Sequence, residues 1–486
     1  MNKPSFLALA LLFGLALLIG GCRSVAPPGA PDSPWTPPDW ARREAARDPE
    51  PLPGPPPDLS QPLTLARCVD IALANSPSTR KAWNQARAAA AGLGRAESLR
   101  YPRLSVSGSV NYRRDHFNLQ TEVLGIDADQ DVFTYGPALE LTYLLFDFGG
   151  VSGGIEEARQ ALLAANFSFN RSLQNLLLEV QKAYYGLNSA EAALQAAEAD
   201  VEDARTADEA ARERFQAGLS SKLDKLQAGS SYQDALYRLE QARGGLEAAR
   251  AELTRLLGFP AGTEYEIAGP DAEIPPELPE GDLALLVEDG LRLRPDIAAL
   301  RAGLRSRQSA ASAARSALYP SLNLGGRADH LWYGYNRGPE LYDDSYSYTG
   351  YLALKWDIFT GFADRELARQ AAAERDAARE ELAAAELGAA AEIWTRYYAY
   401  NTAVRKHTYS RAFLDSARES YELAREGYES GLKSILDLLQ SQSALSAARS
   451  QLIASERGVF VALAELAHAA GTLTREGAAV PPGAGE

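Results

Sequence analysis

Along four stretches of this chain apolar and polar residues alternate one by one; almost everywhere else they recur every three to four residues. From Leu104 to Tyr112 the even positions are apolar or glycine, and Ser105, Ser107, Ser109 and Asn111 hold the odd ones. Phe133, Tyr135, Leu139, Leu141 and Tyr143 likewise oppose Thr134, Glu140 and Thr142. Leu322 and Leu324 oppose Asn323 and Arg327, and Tyr346, Tyr348, Leu352, Leu354, Trp356 and Ile358 oppose Ser347, Thr349, Lys355 and Asp357. A period of two predicts strands. Each run is about ten residues, rich in aromatics and polar on one side only, as in a β-strand with lipid on one face and water on the other. A soluble antiparallel sheet with one buried face has the same alternation.

The remaining periodicity predicts helices over Leu63 to Asn75 and Pro77 to Arg100, broken at Pro77. It also predicts two very long ones, Val151 to Gln216 and Ala363 to Glu429, each of about 100 Å at the helical rise. Helices of that length without internal caps point to coiled-coil packing. The seam runs through Leu187, Ala190, Leu194, Ala197, Val201, Ala204, Asp208, Ala211 and Phe215. In the second helix it runs through Tyr400, Ala403, His407, Ser410, Leu414, Ala417, Tyr421, Ala424 and Tyr428. His407 on this seam reads as a packing residue. A shorter helix follows each long one and ends at Leu257 or Ala470; the two short helices of each set are expected to stack end to end beside the long one.

These elements occur twice. Asn75-Ser76-Pro77 and Tyr101-Pro102 return as Arg294-Pro295 and Tyr319-Pro320 at an offset of 218. Further on, an offset of 213 pairs Phe146 with Phe359, Tyr184-Tyr185 with Tyr397-Tyr398, Gly218 with Gly431, Asp224 with Asp437 and Gly258 with Gly471. A tandem duplication sets the architecture before anything else. The expected division is repeat 1 over 63–258, a linker over 259–282, repeat 2 over 283–471 and a tail over 472–486.

Composition narrows the chemistry. A net charge of −15 argues against a nucleic-acid footprint. The four histidines stand singly, and HExxH and GxxxxGK[ST] motifs are missing, so neither an enzyme nor a cofactor is expected. The N-terminus reads as an export signal over 1–21, with Lys3 ahead of an apolar run from Phe6 to Ile19. Gly20-Gly21-Cys22 closes it and resembles a lipobox, which would make Cys22 a lipidated mature N-terminus inserted in outer-membrane lipid. Residues 23–62 hold 13 of the 27 prolines and are expected to form, with Cys22, an extended tether over 22–62. Cys68 would then lack a disulfide partner and is expected to be buried in a helix. Export favours the membrane reading of the strands. Four strands cannot close a barrel, since single-chain barrels begin at about eight, and lipid does not tolerate open edges. Other copies must complete the wall, and three copies would give twelve strands.

The lipobox, the NxP…YP signature ahead of a strand, the Phe/Gly junction after it and the duplicated GLxSxLDxLQ helix tip together resemble the TolC/OprM-type outer-membrane efflux protein family over residues 63–471. The resemblance implies a mixed α and β membrane protein: a homotrimer with a 12-stranded transmembrane β-barrel, four strands per chain. The barrel would run into a long periplasmic α-helical coiled-coil barrel, with a belt contributed by the linker and tail. It implies an exit duct for small molecules, partnered by a periplasmic adaptor protein and an inner-membrane pump. A type I protein secretion channel is the alternative within the family. A lipid-anchored structural coiled-coil protein is the alternative outside it.

The resemblance also marks site residues. Asp437 matches the outer of two aspartate rings that constrict the periplasmic tip, whereas the next position is Gln440, so the second ring is absent. Lys433 matches a basic residue that helps hold the tip closed, and Asp224 is the repeat-1 counterpart of Asp437. Gly218-Leu219 and Gly431-Leu432 would dock adaptor hairpins. Read from spacing alone, Ser221-x-x-Asp224 and Ser434-x-x-Asp437 are capping boxes, and the glycines are ordinary left-handed helix ends.

Overall fold

A computed structural model describes residue 59 and residues 61–120, 125–269, 274–279, 282–337 and 343–474. The signal, Cys22, nearly all of the tether and most of the tail lie outside the described residues. Helix α1 (Leu65–Asn75) and α2 (Pro77–Glu97) lead into β1 (Arg103–Gln120) and β2 (Gly125–Phe146). These are followed by α3 (Gly150–Gln216) and α4 (Lys222–Leu257). The second set comprises α5 (Asp282–Leu293), α6 (Pro295–Ser316), β3 (Ser321–Arg337), β4 (Asp344–Lys355), α7 (Ala363–Glu429) and α8 (Ile435–Ala469). Pro77 and Pro295 each open a helix at its first position, where a missing N–H costs nothing.

The strands form one antiparallel sheet in the order β1-β2-β3-β4, leaving β1 and β4 as edges. One face carries Leu104, Val106, Val110 and Tyr112 beside Phe133, Tyr135 and Leu139. It continues through Trp332 and Leu324 to Tyr346, Tyr348, Leu352 and Leu354. No described part of the protein covers it: Val106 is 76% exposed, Tyr348 80% and Leu354 71%. A soluble sheet of this pattern would bury that face. The opposite face holds serines, threonines and charges, with Glu140 opposite Arg327. An aromatic cluster of Phe146, Phe148 and Tyr319 gathers where sheet meets helix; Phe148 stacks on Tyr319 at 5.1 Å and meets the edge of Phe146 at 4.8 Å. Such girdles sit at the membrane–water boundary.

The strands are longer than the ten residues the alternation predicts. Past Tyr112 the outward positions become Arg114 and His116, which pair across to Asp131 at 3.1 Å and Asp129 at 3.0 Å. Charge on the outward face marks the end of the apolar band, while the backbone pairing of the hairpin continues past it. β4 in turn stops at Lys355, short of Trp356 and Ile358; the Trp356 indole donates to the Leu318 carbonyl at 3.2 Å. Within β2, Gly136 leaves no room for a side chain, since a Cβ there would lie 1.9 Å from the His330 carbonyl oxygen.

Strand passes to long helix in the same way in both copies, through two successive left-handed residues. They are Phe148 and Gly149 (φ 53° and 98°) in the first and Gly361 and Phe362 (φ 64° and 70°) in the second. The order of Phe and Gly is reversed while the backbone is retained. A left-handed phenylalanine is sterically costly, and side chains hold each corner. Asp147 accepts from the Val151 amide at 2.6 Å, and Thr360 donates to Asp364 at 2.8 Å.

The long helices pack along the seams expected of them, with every seam residue buried or half-buried. His407 lies half-buried 3.9 Å from Glu456, a packing position. The short helices stack end to end: the Asn75 amide donates to the Leu257 carbonyl at 3.0 Å, and Arg294 donates to the Ala469 carbonyl at 3.0 Å. Cys68 is fully buried in α1 and unpaired by disulfide, and burial pushes its thiol up to about 12.

Candidate functional site at the hairpin tips

Each hairpin turns on one construction. Gly218 (φ 73°) and Gly431 (φ 79°) end the long helices in the left-handed conformation. The next amide reaches back to close the helix, from Leu219 to Arg214 O at 2.8 Å and from Leu432 to Gly427 O at 2.7 Å. Leu432 is 85% exposed, and Leu219 is similarly bare. Two exposed leucines at the far ends of helices satisfy no local packing need.

The return helices begin with complete capping boxes. Ser221 Oγ accepts from the Asp224 amide at 3.2 Å, and Asp224 accepts from the Ser221 amide at 2.9 Å. Asp437 does the same for Ser434, and its Oδ2 also receives the Ser434 hydroxyl at 2.7 Å. The Ser434 hydroxyl and then its amide hold the Asp437 carboxyl below the usual carboxylate range. The cap thus fixes Asp437 in place and keeps it ionised at neutral pH.

Lys433, Asp437 and Gln440 come together on one groove of about 710 Å³ between α7 and α8, with Glu419, Ser420 and Ser441. Asp224 is not among its lining residues and caps the other hairpin. Ties across the tips, which spacing alone did not reveal, join the two halves. Arg214 donates to the Tyr428 carbonyl at 2.8 Å and lies over the Tyr428 ring at 5.1 Å. Arg449 of α8 bridges Asp200 and Asp203 of α3 at 2.5 and 2.9 Å. Beside them burial, then Asp203, pushes the Tyr421 hydroxyl up to about 12. The acidic pair at 200 and 203, one turn apart on a seam flank, was the only sequence signal for this clasp.

Gly150-Val151-Ser152-Gly153-Gly154 has the spacing of a nucleophile turn. Ser152 instead donates to the Gly149 carbonyl at 3.2 Å, and the shallow groove around it contains no histidine. Among the described residues no group of histidine, cysteine and carboxylate side chains could hold a metal, and no helix is long and apolar enough to cross a membrane.

The sequence matches the family model described as outer membrane efflux protein over residues 68–259 and 286–472. The chain belongs to the outer membrane efflux protein family. It is 30% identical to Protein CyaE of Bordetella pertussis over 96% of its length and 95% of that protein. It is 28% identical to outer membrane protein OprJ of Pseudomonas aeruginosa over 91% and 90%. The solved structure of the outer-membrane channel OprN has the same fold, with a TM-score of 0.73 at 20% identity, over 88% of this chain and 98% of that one. Membership makes the chain a non-enzymatic exit duct of the outer membrane with a large periplasmic helical part. It also assigns the bare apolar face of the sheet to lipid.

Proposed function

We propose that three copies pool their strands into a twelve-stranded barrel and carry small molecules passively from a periplasmic adaptor and an inner-membrane pump to the outside. The observation that carries this reading is the four-stranded sheet with one bare apolar face and two open edges. Lipid excludes unpaired edges, and a four-stranded unit needs like neighbours to remove them. Cys22 would anchor the chain by acylation, with 22–62 as its tether. The groove with Lys433, Asp437 and Gln440 would form the gate, narrowed where three Asp437 carboxylates repel near an axis. Asp224 would be its minor partner. Gly218-Leu219 and Gly431-Leu432 would seat the adaptor.

Reconstitution in planar bilayers tests the duct: purified full-length chain should give discrete conductance steps. A lipid-associated protein that gives none would contradict the reading. Cys22→Ser should abolish palmitate incorporation, and unchanged labelling would remove the anchor.

A further inference from the structure

Where the sheet gives way to helices, a polar groove of about 430 Å³ opens between α3 and α6. Phe148 closes its upper end beside the aromatic cluster, and Ser152 and Glu156 of α3 face Gln308, Ser309 and Ser312 of α6 below it. Gly153 lets the two helices meet behind it, since a Cβ there would lie 3.0 Å from Ala313 Cβ.

Helical phase decides on which side of the wall the groove opens. Ser152 and Glu156 stand four heptads before Val180 and Tyr184 on α3. Val180 and Tyr184 are buried in one core with Cys68 and Val69 of α1, and the Tyr184 hydroxyl donates to the Ala268 carbonyl at 2.6 Å. Farther down, then, this side is packed with protein. The bore of the duct lies on the other side, and the groove faces outward just below the lipid-facing sheet.

Its charges run in a definite order away from the sheet. Arg315 follows Gln308 and Ser312 on one face of α6, at spacings of seven and three. It stands at the upper end, because the next residue, Ser316, has its Oγ 2.5 Å from where a Gly150 Cβ would lie. Arg315 is exposed and pairs with no described carboxylate. Glu156 lies lower, next to the Glu157 carbonyl that accepts from Ser306 at 3.1 Å. Ser152 and Ser312 donate to the Gly149 and Gln308 carbonyls at 3.2 and 3.1 Å, which leaves acceptor lone pairs for the groove. Gln160 donates to Glu156 at 2.8 Å, and its own Oε1 is a buried acceptor without a donor. The Arg159 contact to Glu156 at 2.6 Å is an exposed pair of small worth.

We infer that this groove binds an amino-phospholipid of the leaflet that faces the periplasm. Its chains lie beside Phe148 and Tyr319, its phosphate on Arg315, and its primary ammonium on Glu156 and the serine oxygens. A phospholipid presents chain, phosphate and ammonium in that order. A primary ammonium brings three N–H donors to a groove of acceptors; a trimethylated one brings none, and a glycerol headgroup lacks the charge. The site needs only the sheet's place in lipid, whatever the number of copies, and so goes beyond the duct proposed above.

The test uses full-length chain, stripped of lipid in detergent and mixed with phosphatidylethanolamine, phosphatidylcholine or phosphatidylglycerol of matched chains. Native mass spectra after collisional activation should retain one phosphatidylethanolamine per chain, several-fold more than either other lipid. Glu156→Gln, which keeps the side chain's shape, should erase the preference over phosphatidylcholine. Arg315→Ala should lower retention of phosphatidylethanolamine and phosphatidylcholine alike. Equal retention of the three lipids by parent chain that still gives conductance steps would overturn the site and leave the duct standing. A preference unchanged in Glu156→Gln would overturn it too, by placing the lipid elsewhere.

Discussion

The short helix that closes each hairpin ends against the start of the next helix, and the two copies satisfy its last carbonyls differently. In the first copy the neutral Asn75 amide reaches Leu257, and Ser76 caps α2 by accepting from the Thr79 amide. In the second, Arg294 does the work from a buried position. Its guanidinium binds Asp296 at 2.7 Å, Glu392 at 2.6 Å and the Ala469 carbonyl, and Arg171 approaches Asp296 at 3.5 Å. The backbone solution was kept while its chemistry changed. The charged version knits four helices (α3, α6, α7 and α8), whereas the neutral version ties only neighbours in its own repeat. Of the two junctions, the second is therefore the one that also ties to the other repeat, through Arg171.

The strongest break of this comparison lies in the sheet. Gly136 on inner strand β2 has no room for a side chain, while its repeat counterpart by strand register, Thr349, sits on edge strand β4. Gly136→Val should abolish insertion of the barrel, and Gly108→Val on β1, where a Cβ meets nothing within 4 Å, should insert normally. Heat-modifiable mobility of membrane fractions reads both.

Next comes the helix junction. Arg294→Met leaves two carboxylates and a carbonyl without their donor. The expected cost is about 2–3 kcal/mol in denaturant unfolding, less than for a fully enclosed pair because Asp296 and Glu392 are each about a third exposed. Asn75→Ala should cost about 1 kcal/mol, the net value of one hydrogen bond. Equal losses would mean that the two junctions share the load.

The tips offer a comparison at constant local structure, because both aspartates make the same cap. Asp437→Ala should raise bilayer conductance or lower cation sensitivity, while Asp224→Ala leaves both unchanged. An identical effect of the two substitutions would reduce Asp437 to its capping role. With its carboxyl held below the usual range, Asp437 should contribute no pH dependence to conductance between about pH 6 and 8.

The smallest effect is a pH dependence at His468, whose Nε2 lies 2.7 Å from Asn175 Oδ1. Burial, then Arg171, brings its pKa down to about 4. A folded-state value below the unfolded one means that the native chain resists protonation. Stability should therefore fall as pH drops from about 6.5 toward 4 and be flat above that window. His468→Gln should flatten the slope in thermal melts taken across that range.

Much of this was legible in the sequence for definite reasons. Repeat offsets located the long helices within a residue, because Gly218 and Gly431 end them by a backbone requirement and Ser221 and Ser434 restart them. Alternation found the strands but not their length, since Arg114 and His116 end the apolar pattern without ending the backbone pairing. The groove residues are close in sequence, Lys433 just ahead of the Ser434 cap and Asp437 and Gln440 in the first turns of α8, and were readable together. The Arg294 and Arg449 clusters were not: each joins residues about 100 to 250 positions apart, and pairing over such separations leaves no local spacing to detect.

Native mass spectrometry of detergent-purified chain bears most directly on the incomplete cylinder. A mass of three chains, unchanged by dilution, is the expected result. A single chain that stays folded and soluble once its lipid is removed would contradict both the barrel and the duct.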